Sequence, residues 1–234
     1  MTKKTDDENL DSELERLCTK YKGRSSKEVR DEVYTNNGSS YLRGTMVYPW
    51  GKRRCLVKPS QETSQEEYED LQASRAFWWH HLDVSKEEYL SNIKKSLDEE
   101  ALKPTNALRI KELGCLGFLG IMKIKPESSI CEIGFRTPAL LKYFLDCGAK
   151  NAIGYDVVQF NVMVAKELGY NVKHADIGEK SPDIDLAGIG LVMCYQVLEH
   201  VTDPLKAISN IFNKMDSGCD FHVEIPIEPG EPRI

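Results

Sequence analysis

The stretch Ser129-Ile-Cys-Glu132-Ile-Gly134-Phe-Arg136-Thr-Pro138 decides the fold. A short apolar run reaches a glycine, crosses a few turn residues, and meets a proline that opens a helical pattern to Cys147. Strand, tight turn and helix in that order begin a β-α-β unit. Downstream the same alternation recurs. Strands are predicted at Ser129–Gly134, Ala152–Tyr155, Asn171–His174, Ile189–Tyr195 and Asp220–Ile225, with helices at Pro138–Cys147, Gln159–Leu168 and Pro204–Met215. Near-continuous apolar strands alternating with helices indicate an α/β fold with a parallel sheet covered on both faces. Right-handed crossovers then bring every strand's C-terminal end to one edge, where a ligand crevice belongs.

Upstream, the chain reads differently. Residues 1–65 form an N-terminal extension, expected to be partly flexible, with a short amphipathic segment (Leu14, Leu17, Cys18, Tyr21) and a hairpin at Gly44–Gly51 and Arg54–Val57. Residues 66–127 read as a helical cap. In the first predicted helix, Gln65–Leu82, Tyr68, Leu71, Trp78 and Leu82 share a face. Ser85-Lys-Glu-Glu88 fits a capping box for the second. Thr105 caps a third that runs towards Leu119, its end weakened by Gly114, Gly117 and Gly120.

The 234 residues carry a net charge of −6, which argues against bulk nucleic-acid or anionic-membrane binding. No apolar run approaches the roughly 20 residues of a membrane span, and no secretory signal is visible. The seven cysteines are scattered singly, several inside apolar runs, so they read as buried, reduced thiols rather than a disulfide framework or zinc site. A cytoplasmic protein without metal is expected, and its oligomeric state stays open.

The chemistry gathers at the predicted strand ends. Glu132 and Gly134 close the first strand, and Gly154-Tyr-Asp156 closes the second with an acid 24 residues after Glu132. A glycine turn, a helix N-terminus and a carboxylate at the next strand end form a nucleoside-binding arrangement, although each alone is weak. Asp176 follows the third strand, either as a ligand group or as a turn acid. The fourth strand runs into Cys194-Tyr-Gln-Val-Leu-Glu199-His200-Val-Thr-Asp-Pro204. Asp203 followed by Pro204 is an N-cap with proline in the first helical position. The G-x-G-x-x-G pattern of a dinucleotide oxidoreductase is absent.

The Leu-Glu-His-Val…Asp-Pro string, with Glu132/Gly134, Asp156 and Asp176 before it at roughly twenty-residue intervals, resembles class I S-adenosylmethionine-dependent methyltransferases. The resemblance covers 128–226. It implies a Rossmann-like doubly wound, mainly parallel sheet of about five strands in the order 3-2-1-4-5, with a mostly helical N-terminal extension. It also implies S-adenosylmethionine as cofactor. Glu132 and Gly134 would face the methionine moiety and Asp156 the ribose diol. Val157 would flank the adenine, Asp176 would accept from its amino group, Ile177 would pack on the ring, and Gln196 would lie beside the sulfonium.

The family usually has glycines where Arg136 and Pro138 stand. Either Arg136 reaches the cofactor's carboxylate, or the motif has degenerated. His200 and Glu199 are candidates for base catalysis, or they organise the loop. The implied reaction is methyl transfer to a hydroxyl of a sugar, glycan or other small molecule. The alternative is a catalytically inactive module acting as a binding partner or scaffold. Phe77, Trp79, His80 and His81 are weak substrate-pocket candidates, with Trp78 in the core. Gly51-Lys-Arg-Arg54 reads as a solvated turn or a phosphate contact. Family members usually add a two-stranded hairpin after the fifth strand, so 128–234 is expected to be truncated there: either the chain is a fragment, or the sheet is a shortened one whose fifth strand is an edge needing cover.

Overall fold

The computed structural model describes residues 10–25, 28, 44–48, 51–55, 70, 73, 85–118 and 128–225. Five parallel strands form the central sheet: β3 (Ser129–Ile133), β4 (Asn151–Asp156), β5 (Val172–His174), β6 (Leu191–Tyr195) and β7 (Asp220–Glu224). Their order is β5-β4-β3-β6-β7, the 3-2-1-4-5 arrangement expected from the sequence. β3 pairs with β4 on one side and β6 on the other, so the order reverses there. That reversal opens the crevice at the carboxyl edge. Separately, β1 (Gly44–Tyr48) and β2 (Gly51–Cys55) pair antiparallel as a hairpin, but its second strand begins at Gly51 rather than Arg54, so Gly51–Arg54 is strand rather than turn.

The strands are apolar on both faces because each face has its own core. On β6, Leu191, Met193 and Tyr195 join one cluster while Val192 and Cys194 join the other. The period of two along a strand sorts them. Helices α4 (Ala139–Asp146) and α5 (Gln159–Glu167) cover the first face through Leu140, Leu141, Val162 and Ala165. Helix α6 (Pro204–Phe212) covers the second through Ala207 and Ile211, both 0% exposed. Asp203 caps α6 by accepting from the Lys206 N–H at 3.0 Å, with Pro204 beginning the helix. The β5–β6 connection adds Ile177, Ile184, Leu186 and Ile189 to this second core.

Among the described residues, further helices precede the sheet. In α1 (Leu10–Tyr21), Leu10, Leu14, Leu17 and Tyr21 fall on one buried face. In α2 (Lys86–Ala101), Tyr89, Ile93, Leu97 and Ala101 do the same at four-residue spacing, and Ser85 caps the helix by accepting from Glu88 N–H. Both stripes pack in one cluster with Ala73, Phe160, Met163 and Val164. Lys86 ties this layer together through Asp11 at 3.2 Å and Glu167 at 3.1 Å. The extension is therefore built onto the back of α5. Of the predicted helix at Gln65–Leu82, only Asp70 and Ala73 lie within the described residues. Asp70 pairs with Arg16 and Lys20, each at 2.6 Å.

Two expectations are corrected. Helix α3 (Pro104–Phe118) begins at Pro104 rather than with Thr105 as its cap, because proline's fixed φ suits a first turn. It also runs through Gly114 and Gly117, where no neighbour would oppose a side chain. The second correction concerns the thiols. Cys131 and Cys194 are buried in strands, but Cys115 and Cys147 are exposed and Cys18 and Cys219 half-buried, since helix and turn positions carry one solvent side. No helix among the described residues is long and apolar enough to cross a membrane, and none of their acidic, histidine and cysteine groups could hold a metal ion.

Candidate functional site

At the carboxyl edge, the turn after β3 is shaped by two left-handed residues. Gly134 has φ 72°, and a Cβ on it would lie 2.3 Å from Val197 Cγ2, so no larger residue fits beside the end of β6. Arg136 has φ 51°, the conformation a glycine would adopt without cost. An L-residue there carries about 1–2 kcal/mol of strain. The Arg136 N–H recovers part of it by donating to Asp156 Oδ2 at 2.8 Å. The turn thus keeps a glycine-like path although the glycine is gone. The guanidinium itself is exposed.

Asp156, 5% exposed at the end of β4, organises this corner. Besides Arg136, its carboxylate accepts from Val158 N–H at 2.8 Å and Asn161 Nδ2 at 3.4 Å. Of the about four acceptor positions a carboxylate offers, three are in use. Burial pushes its carboxyl up, against those hydrogen bonds. Val157 is half-buried beside it, and its carbonyl lies 2.8 Å from His174 Nε2. Past β5, Asp176 Oδ1 accepts from Gly178 N–H at 2.7 Å, forming a turn. Ile177 is 4% exposed in the second core, so its side chain is engaged by the protein. Helix α6 holds this turn from behind: Asn210 donates to the carbonyls of Ile177 and Glu179, and Lys206 to that of Gly178. The N-terminus of α4, after Pro138, has no side-chain cap. Its free N–H groups give the crevice a partial positive charge.

Glu132 is 6% exposed, and its Oε2 is buried without a hydrogen-bond partner. Burial, reinforced by Asp156 and opposed by Arg109, pushes its carboxyl up to about 8. Gln196 is the second left-handed non-glycine residue, at φ 56°; its N–H bonds the Glu224 carbonyl at 2.9 Å and its Nε2 the Glu224 carboxylate at 2.6 Å. Glu199 and His200 lie in a short 3₁₀ turn, Leu198–His200. His200 Nε2 is 3.9 Å from Glu199 Oε1, beyond hydrogen-bond reach, and Glu199 Oε2 is buried without a partner.

Sequence reasoning missed a second group. Arg109, on α3, binds both oxygens of Glu224, Nε to Oε2 at 2.9 Å and Nη2 to Oε1 at 2.8 Å. Its guanidinium also stacks 4.5 Å over the Tyr195 ring, and Tyr195 Oη is 3.0 Å from His222 Nδ1. One signal was available: Glu224 ends the fifth strand, as Asp156 ends the second. Phe77, Trp79, His80 and His81 lie outside the described residues.

The strand order and the crevice at the β3/β6 switch define a Rossmann-like, doubly wound fold, with acids at successive strand ends. No protein-family model and no curated protein matches the chain. Among solved structures, it is similar to the Haloferax volcanii complex of the Trm112 methyltransferase activator and a methyltransferase, at 15% identity and TM-score 0.42, over 57% of this chain and 55% of that one. It is also similar to a Methanococcus maripaludis protein described as an S-adenosylmethionine-dependent methyltransferase, at 15% identity and TM-score 0.41, over 57% and 62%. A Rhodobacter sphaeroides protein described as a zinc-dependent alcohol dehydrogenase matches at 21% identity and TM-score 0.32, over 39% and 37%. The chain spans little more than half the length of the first of these structures. These are likenesses of fold.

Proposed function

We propose that the chain is an S-adenosylmethionine-dependent methyltransferase acting on a hydroxyl of a sugar, glycan or other small molecule. The observation that supports it best is the convergence of Glu132, the left-handed Gly134 turn and Asp156 on the switch point, with a buried acceptor atom of Glu132 left unpaired. Such an atom suits a ligand that brings its own donor, and the cofactor's ammonium is one. When bound, the cofactor supplies a methyl group made electrophilic by its sulfonium.

The chain's residues do the rest by holding and excluding. Asp156 has one acceptor position left for a ribose hydroxyl, and Val157 lines the base side. Asp176 offers its second oxygen to the adenine amino group, with Ile177 as the floor. Arg136, exposed above the turn, suits a carboxylate. Gln196 is fixed by Glu224 beside the end of β6, where an acceptor must approach. In this reading His200 takes the acceptor hydroxyl's proton, and Glu199 bears a carboxylate next to it. Incubation with methyl-tritiated S-adenosylmethionine and a panel of hydroxyl-bearing sugars tests this reading. Label transferred to a sugar supports it; a chain that binds cofactor but labels no acceptor favours the scaffold reading.

A further inference from the structure

Arg109 stands among three carboxylates. It spends its paired N–H groups on Glu224, and its charge opposes the burial of Glu132; at Glu199 a backbone hydrogen bond opposes burial first and Arg109 adds less than the neighbouring Glu224 charge takes away. Glu132 keeps its proton up to about pH 8, so the guanidinium faces two charges, Glu224 and Glu199, and cannot neutralise both. Glu132 Oε2 and Glu199 Oε2 remain buried with no hydrogen bond, and the Glu199 side chain is only 8% exposed. Buried carboxylate oxygens are ordinarily paired, so an unpaired one that persists marks a place where a ligand supplies the donor.

The two unpaired oxygens belong to different halves of the crevice. Glu132 lies one residue before the end of β3, near the nucleoside-side acid Asp156. Glu199 follows β6, with Glu224 on neighbouring β7 as its partner in charge. A neutral hydroxyl could donate to Glu199, but it would leave the excess negative charge in place. An ammonium does both, with three donors to distribute. We propose that Glu199 and Glu224 form a subsite for a primary ammonium group, so that the acceptor is an amino-bearing hydroxyl compound such as an amino sugar. The word acceptor rests on the methyltransferase reading; the recognition of an amine rests on these two carboxylates alone.

The test is calorimetric titration of the full chain with D-glucosamine and with its neutral counterpart N-acetyl-D-glucosamine, run with and without S-adenosylhomocysteine. Glucosamine is expected to bind at least about tenfold more tightly, the worth of one charge-assisted hydrogen bond. Glu199→Gln is expected to erase that preference while melting no lower than the wild type, which shows that it is folded. Equal affinity for the two sugars, binding of neither, or a preference that survives in Glu199→Gln overturns the subsite. Failure of S-adenosylhomocysteine to bind, with the amine preference intact, counts against the cofactor reading and leaves the ammonium subsite standing.

Discussion

The backbone N–H of Arg136 donates to Asp156 Oδ2 at 2.8 Å, joining the turn after β3 to the end of β4. Through this bond a turn lacking its expected glycine holds a left-handed residue in place. The same carboxylate carries the ribose contact in the proposed function. Geometry of the turn and capacity of the site are therefore coupled at one side chain.

Replacing Arg136 by glycine tests how much strain the turn stores. The substitution relieves about 1–2 kcal/mol of left-handed strain. It adds about 0.4–1 kcal/mol of unfolded-state freedom. Urea denaturation should show a protein between unchanged and about 1.6 kcal/mol more stable. A clear loss of stability would mean that the guanidinium makes contacts the fold needs.

Gly134 should tolerate no side chain at all. Alanine would adopt φ 72° with its Cβ 2.3 Å from Val197 Cγ2. Conformational strain and overpacking together predict a loss of about 2–5 kcal/mol. Denaturation of Gly134→Ala measures it, and a double variant with Val197→Ala should recover the packing part only. An unchanged midpoint in the single variant would contradict the close approach.

Much of this architecture was legible because of burial. Strands covered on both faces must be apolar throughout, so Ile130–Ile133 and Leu191–Tyr195 announced themselves within a residue or two. Asp203-Pro204 and Ser85 were readable for a local reason, since caps act within one turn. Arg109–Glu224 was not readable: the partners are 115 residues apart, and each alone looks like a surface charge. The start of α3 was misplaced because Pro104 and Thr105 both carry helix-start signals and only one can act. The exposed Cys115 and Cys147 show the limit of reading burial from residue type.

Glu132 gives a stability profile with a definite sign. Its carboxyl lies near 8 in the folded chain against 4.5 ordinarily, so the folded state holds the extra proton between those values. Stability should then fall as pH rises from about 4.5 to about 8 and level off beyond. Glu132→Gln should flatten that fall and be more stable than wild type at pH 8, by an amount on the order of a few kcal/mol. Urea titrations at pH 5 and pH 8 provide the comparison. Parallel profiles for the two proteins would show that Glu132 is not held protonated.

Arg109→Met should act in the opposite sense on Glu224. Arg109's hydrogen bonds hold the Glu224 carboxyl below its ordinary 4.5, which stabilises the fold above that pH and is lost as pH falls through the lowered value. The variant should lose about 2–4 kcal/mol at pH 7, somewhat less than a fully buried pair because Glu224 is one-third exposed. It should also lose that acid-side dependence. Stability unchanged at pH 7 would mean that Glu224 gains full solvation when the guanidinium leaves.

The most direct test of the central claim is calorimetric titration of the full chain with S-adenosylhomocysteine, beside Asp156→Ala. Saturable one-to-one binding by the wild type and none by the variant, with the variant shown folded by its melting transition, is the predicted result. No heat from the wild type at high protein concentration, or equal affinity in Asp156→Ala, would contradict it.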